Sequence, residues 1–200
     1  MKLLYSPTSP YARKARIVAR EKRLLGRVEE VISLPADKPA ELLAANPLGK
    51  VPALILDDSS VLFDSPVICE YLDQLTPDVP LIPNGPARWP VLRAQALADG
   101  MVDVAVLGVM EKRRPPELQL VDRLEHLRTQ MRSAVRQMPQ ELTSLGGELN
   151  MGHIAIAAAL GYLDLRHPDL EWRGLADASL VTWYAEFSGR QSMQDTEPPA

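Results

Sequence analysis

Proline is the feature that most limits what this chain can build. Twelve of its 18 prolines stand at or before Pro90, and six are spread over the remaining 110 residues. Each proline fixes φ and removes a backbone donor. A proline-dense stretch must therefore be assembled from short elements, while a proline-poor one can carry long helices. The two parts of the chain are expected to be built differently, and 200 residues suffice for one or two compact units. Residues 76–90 hold five prolines, Asn84-Gly85 and almost no periodic pattern, which reads as a connection between domains. The expected division is a first unit over 1–76, a linker over 77–87 and a second unit over 88–200.

In the first part, residues 2–5 form a short apolar extended run and 10–25 a helical stretch closed by Gly26. Residues 28–34 read as a strand, and 39–45 as a short helix ended by Asn46-Pro47. Two short strands, 52–56 and 61–63, flank the turn at 57–60, and 65–75 is helical again. The order βαβαββα makes an α/β unit with a mixed sheet. Beyond residue 80 no strand is legible. Apolar residues recur at helical spacing through Val91, Ala96, Leu97, Met101, Val104 and Leu107, and again through Leu118, Val121, Leu124, Leu127 and Met131. Two more helices are expected over 150–166 and 177–188. The second unit is thus an all-α bundle, with a weakly ordered tail from Asp195.

Charge and composition remove several functions. A net charge of -4 gives no basic field for nucleic acid or anionic lipid. No run approaches the length of a membrane span, and the first residues lack the apolar core of a signal peptide, so a cytoplasmic location is expected. The single Cys69 excludes an internal disulfide and any multi-cysteine metal site. His126, His153 and His167 have no ligand-like spacing, so no metal is expected.

Ser9-Pro10 and Ser65-Pro66 share a helix-start signature, with serine at the N-cap and proline at the first helical position. Taken singly, each is a cap. A helix N-terminus also carries free N–H groups and partial positive charge, which suits a thiolate or a carboxylate. A third element is Asn46-Pro47-Leu48-Gly49-Lys50-Val51-Pro52. Proline opening an internal strand leaves the Val51 backbone to a ligand instead of a ladder; alone, the pattern is also that of a turn before an edge strand.

Together these segments resemble a known family. Thr8-Ser9-Pro10-Tyr11-Ala12-Arg13-Lys14, the loop from Asn46 to Pro52, and Phe63-Asp64-Ser65-Pro66-Val67-Ile68-Cys69-Glu70-Tyr71-Leu72 resemble the thioredoxin-like N-terminal domain of glutathione S-transferases in order and spacing. Residues 150–172 and the final segment resemble the helical domain of small bacterial members. The resemblance implies a serine-type enzyme with glutathione as co-substrate. Ser9 would hydrogen-bond the glutathione sulfur. Val51, preceding a cis Pro52, would pair with the cysteinyl amide, and Asp64 with Ser65 would receive the γ-glutamyl group. Lys50 would meet the glycine carboxylate, with Lys38 as its rival, and Thr8 and Ser6 are the fallback hydroxyls. The implied activity is detoxifying conjugation of glutathione to a small electrophile whose site the helical domain lines, in a homodimer. The competing readings are a catalytically silent interaction or stress protein on the same scaffold and a glutathione-dependent isomerase or dehalogenase.

Ser9-Pro10-Tyr11-Ala12 carries no thiol at its first or fourth position, which excludes thiol-disulfide exchange there. Cys69, among Val67, Ile68 and Leu72, reads as a buried small hydrophobe. Arg13, Lys14 and Arg16 read as a solvated helix face that adds a favourable field. The basic run Lys112-Arg113-Arg114 complements a helix C-terminus, and Asp99 with Asp103 share a helix face. One departure stands out: the buried helix of the second domain usually opens on a Ser/Thr-x-x-Asp box, whereas this chain has Asn150-Met151-Gly152-His153. His153 there reads as a neutral cap residue, with loss of dipole complementarity on protonation.

Overall fold

The computed structural model describes residues 1–199. These separate into two compact units, one formed by residues 1–82 with the segment from Arg190 onward, the other by Pro83–Gly189.

The first unit contains β1 (Lys2–Tyr5), α1 (Pro10–Glu21), β2 (Glu29–Ile32), α2 (Ala40–Ala45), β3 (Ala53–Ile55), β4 (Val61–Leu62) and α3 (Ser65–Gln74). This is the expected βαβαββα order with trimmed element ends, and the unit is thioredoxin-like. The sheet order is β2-β1-β3-β4. β1 runs parallel to β2, with Tyr5 opposite Ile32, and antiparallel to β3, with Leu4 opposite Ala53; β4 is antiparallel to β3, with Leu62 opposite Leu54. Alternation along the strands divides the core. Leu4, Leu42, Ala45, Val51 and Ala53 cluster with Val31 and Ile55, whereas Ile17, Val18, Ile68, Cys69 and Leu72 are buried on α1 and α3, which pack together. Cys69 is fully buried, as a small hydrophobe would be.

Arg13, Lys14 and Arg16 are buried, which corrects the expectation of a solvated face. Arg16 stacks 4.3 Å above the Tyr5 ring and donates to Glu30 at 2.9 Å; Arg20 also donates to Glu30. Burial alone would push the Glu30 carboxyl up, but the hydrogen bonds and charges of these two guanidinium groups hold it below its ordinary range.

The first half of the expected linker belongs to this unit. Leu81 and Ile82 are buried, and their N–H groups donate to the two Asp73 carboxylate oxygens at 2.8 and 2.9 Å. The end of the chain differs from expectation too. After residue 189 it returns to α1, forms α9 (Gln191–Gln194) and buries Thr196 completely.

The second unit is all α: α4 (Arg88–Lys112), α5 (Val121–Leu145), α6 (Met151–Arg166), α7 (Trp172–Leu175) and α8 (Ala178–Ser188). The apolar α6 packs against α4, α5 and α8 and is buried over most of its length. Asn150 caps it, accepting from the N–H groups of Gly152 at 3.1 Å and His153 at 3.3 Å. His153 Nδ1 accepts in return from Asn150 N–H at 3.3 Å. The imidazole thus replaces the usual acid by presenting a lone pair, which requires the Nε2–H tautomer. His167 closes the same helix and donates from Nε2 to the Ala105 carbonyl at 2.9 Å. Burial, with Lys112 and Arg128 nearby, pushes its pKa down despite that bond and Asp169.

Candidate functional site

The strand register gathers the candidate residues. β1 ends at Tyr5, beside the start of β3, and β4 ends beside that same start because both neighbours run antiparallel to β3. The segments 6–9, 49–52 and 63–65 therefore leave or enter the sheet at one end. β2 is parallel to β1, so its continuation toward Lys38 also leaves there.

Ser9 caps α1 in an extended conformation, and its Oγ accepts from Ala12 N–H at 3.2 Å. Its own N–H donates to the Ser6 carbonyl at 3.0 Å, which fixes the turn between strand and helix. While accepting this helix N–H, the Ser9 hydroxyl keeps a rotatable O–H that can donate. Ser6 and Thr8 are partly exposed in the same turn.

The loop before β3 is organised by Asn46, which is buried. Its Oδ1 accepts from Leu48 N–H at 3.0 Å and its Nδ2 donates to the Lys50 carbonyl at 2.9 Å. Gly49 N–H donates to the Asn46 carbonyl at 2.8 Å, with Gly49 at φ +61°, a left-handed turn that glycine adopts without strain. This loop delivers Val51, largely buried, followed by a cis peptide to Pro52. Lys50 and Lys38 are both exposed. In the sequence Asn46 stands as the end of a helix and the first residue of the loop ahead of Pro52, but its side chain's part in closing that loop was not expected; the Asn-Pro pair before a glycine was the signal for it.

At the third segment the cap is displaced by one residue. Asp64, not Ser65, holds the cap position of α3, because the Asp64 carbonyl accepts the first helical bond from Ile68 N–H at 3.1 Å. Ser65 is the first helical residue and is buried, while Pro66 follows it. The Asp64 carboxylate makes no cap bond and is exposed. The Phe63–Asp64 peptide is cis.

Among the described residues no group of three His, Cys, Asp or Glu side chains is placed to hold a metal, and no helix is long and apolar enough to cross a membrane.

A thioredoxin-like unit with three helix and loop termini at one sheet end, followed in sequence by an all-α unit, defines a class that known proteins share. Residues 8–75 match the family model for the glutathione S-transferase N-terminal domain. The uncharacterized GST-like protein YibF of Escherichia coli K12 is 34% identical over 203 residues, covering 100% of this chain and 99% of that one. A glutathione transferase family member from Pseudomonas fluorescens Pf-5, crystallised with bound glutathione, is 43% identical, with a TM-score of 0.95 over 100% of this chain and 99% of that one. The chain belongs to the glutathione S-transferase family. A stringent starvation protein A homolog of Coxiella burnetii is 39% identical over 96 residues, which are 48% of this chain and 42% of that protein.

Proposed function

We propose that this protein is a serine-type glutathione transferase that joins the glutathione sulfur to small electrophiles. The observation that carries the reading is the Ser9 hydroxyl. Its oxygen is held by Ala12 N–H at the start of α1, at the sheet end shared with Val51, Asp64 and Ser65. The bound glutathione of the Pseudomonas relative supports the ligand.

In this reading the exposed Asp64 carboxylate meets the γ-glutamyl ammonium, and the α3 N-terminus at Ser65 faces its carboxylate. The Val51 backbone pairs with the cysteinyl amide, and Lys50, in preference to Lys38, meets the glycine carboxylate. A free thiol has a pKa of about 8.5 and is only a few per cent thiolate at pH 7. Lowering it by about two units requires roughly 2.7 kcal/mol in favour of the thiolate. A charge-assisted bond from Ser9 together with the α1 dipole is of that size. The thiol proton passes to solvent. The thiolate pair then forms the C–S bond, and the electrophile either expels its leaving group with the former bonding pair or takes up a proton after addition. Ser9 donates throughout and never ionises.

The test is replacement of Ser9 by Ala with ultraviolet titration of the bound thiolate. The thiol pKa should rise and turnover should fall, and an unchanged pKa with unchanged turnover removes Ser9 from the role. The match to stringent starvation protein A homologs favours one second reading, a non-catalytic interaction protein on this scaffold. Calorimetry separates the two, since that reading predicts no glutathione binding. An isomerase or dehalogenase would use the same thiolate, and a panel of electrophiles distinguishes it.

A further inference from the structure

The C-terminal segment grips both ends of α1. At the far end, Glu21 receives Arg190 Nε and Nη2, each at 2.9 Å, and the Ser192 hydroxyl at 2.5 Å. At the near end, Arg13 Nη2 donates to the Met193 carbonyl at 3.0 Å and its Nε reaches Thr196 Oγ1 at 3.5 Å. Thr196 is fully buried, and its hydroxyl donates to the Ser192 carbonyl at 2.7 Å, which leaves its lone pairs toward Arg13.

Arg13 also belongs to the first turn of the helix. Its backbone N–H donates to the Ser9 carbonyl at 2.9 Å, one residue beyond the Ala12 N–H that holds the Ser9 hydroxyl. A single residue therefore joins the Ser9 backbone to a segment more than 180 positions away. Donors that stabilise a developing or bound charge act only when held within a fraction of an ångström of their working position. A helix start is otherwise prone to fray, because its first N–H groups lack helical partners.

We infer that Arg13 is a positioning residue, and that the segment from Arg190 through Thr196 is a clasp that fixes the Ser9 hydroxyl and the start of α1 against the glutathione sulfur. The inference rests on the Ser9 reading above. It assigns the C-terminal segment a part in thiol activation beyond holding the fold. By linkage, whatever the clasp contributes to thiolate binding, bound glutathione returns to the clasp.

The experiment compares Thr196→Val, Arg13→Gln and Ser9→Ala in the full chain. Thr196→Val keeps the side-chain shape and removes the hydroxyl, both the acceptor for Arg13 and the donor to the Ser192 carbonyl, while leaving the buried guanidinium in place, so it guards against loss of folding in Arg13→Gln. Three quantities are read: the pKa of bound glutathione by thiolate absorbance, the KM for glutathione against kcat, and the rate of tryptic cleavage after Arg190 with and without glutathione. The clasp predicts a higher bound-thiol pKa in Thr196→Val and Arg13→Gln, a fall in kcat of about tenfold with a smaller change in KM, and slower cleavage of the wild type when glutathione is present. Arg13→Lys should recover part of the shift. If Ser9→Ala raises the thiol pKa while the other two lower only Tm, the clasp is overturned and the serine reading stands. If Ser9→Ala leaves the pKa unchanged, the serine reading fails and the clasp fails with it.

Discussion

The Lys22 ammonium lies 3.1 Å from the Asp73 carboxylate, with 2% and 4% of the two side chains exposed. The pair is asymmetric. Asp73 also accepts two backbone N–H groups, from Leu81 and Ile82, whereas Lys22 has one further bond, to the Val79 carbonyl at 3.3 Å. Asp73 thus terminates a stretch of backbone as well as a charge.

That asymmetry predicts unequal costs. Asp73→Ala leaves an ammonium and two N–H groups buried without their acceptor and should lower stability by about 3–5 kcal/mol. Lys22→Met leaves the carboxylate its two N–H partners and should cost less. The double variant should be more stable than Asp73→Ala alone, because no unpaired cation remains. Urea denaturation of the three proteins checks this, and equal losses in the two single variants would contradict it.

Two glycines in the helical unit should respond in opposite directions to alanine. A Cβ on Gly152 would stand 2.8 Å from both Leu145 δ-carbons and 3.0 Å from Ala94 Cβ. Leu145 can rotate away, but Ala94 moves only with its helix. The expected loss of about 1–3 kcal/mol from overpacking exceeds the helix-propensity gain of about 1 kcal/mol. Gly100, within α4, has nothing within 4 Å of its would-be Cβ. Gly100→Ala should therefore stabilise by up to about 1 kcal/mol. Thermal melts of the two variants should move Tm down and up respectively.

Much of the first unit was legible because its signals are local. The strands are short runs, apolar but for Lys2 and the Glu29-Glu30 pair, each followed within three residues by Pro or Asp, and the βαβαββα order follows from those stops. Ser9 at its cap and the loop ahead of Pro52 were likewise readable from adjacent residues, whereas the cap of α3 falls on Asp64 and not, as the Ser-Pro pair suggested, on Ser65. What escaped was long-range pairing. Residues 190–196 carry no apolar periodicity, and their partners Glu21 and Arg13 are charged, so nothing nearby announced that the segment returns to α1. The same holds for residues 77–82, which resemble a linker until Asp73 is seen to bind their N–H groups. Lysine and arginine on α1 looked solvated because their burial depends on those distant contacts.

Acid should weaken the tie between α1 and the C-terminal segment. Burial works to raise the Glu21 pKa, but hydrogen bonds from Arg190 and Ser192 and the Arg190 charge bring it below the ordinary 4.5. A carboxyl whose folded pKa is depressed contributes stability that is complete above its unfolded value and is lost as pH falls through the folded value. The stability difference between wild type and Glu21→Gln should thus be constant near neutrality and shrink below about pH 4.5. Glu30, also depressed, should show the same sign. Urea midpoints measured from pH 7 to pH 3 test this, and a difference that widened on acidification would refute it.

The proposed function gives Ser9 two separable tasks. As a cap it satisfies Ala12 N–H, and replacement by alanine at such a position costs about 1 kcal/mol, whereas glycine costs only a few tenths. In the proposed role of donor to the glutathione thiolate it would have no substitute in either variant. Ser9→Gly should therefore keep nearly the wild-type Tm yet raise the bound-thiol pKa as much as Ser9→Ala does, while Ser9→Ala shows both losses. Ser9→Thr retains a hydroxyl and should preserve much of each task, limited by the added methyl group. Tm and thiolate titration measured on the same three preparations separate the tasks. If thiol pKa followed Tm across the series, with glycine near wild type in both, the hydroxyl would be acting only through the helix cap.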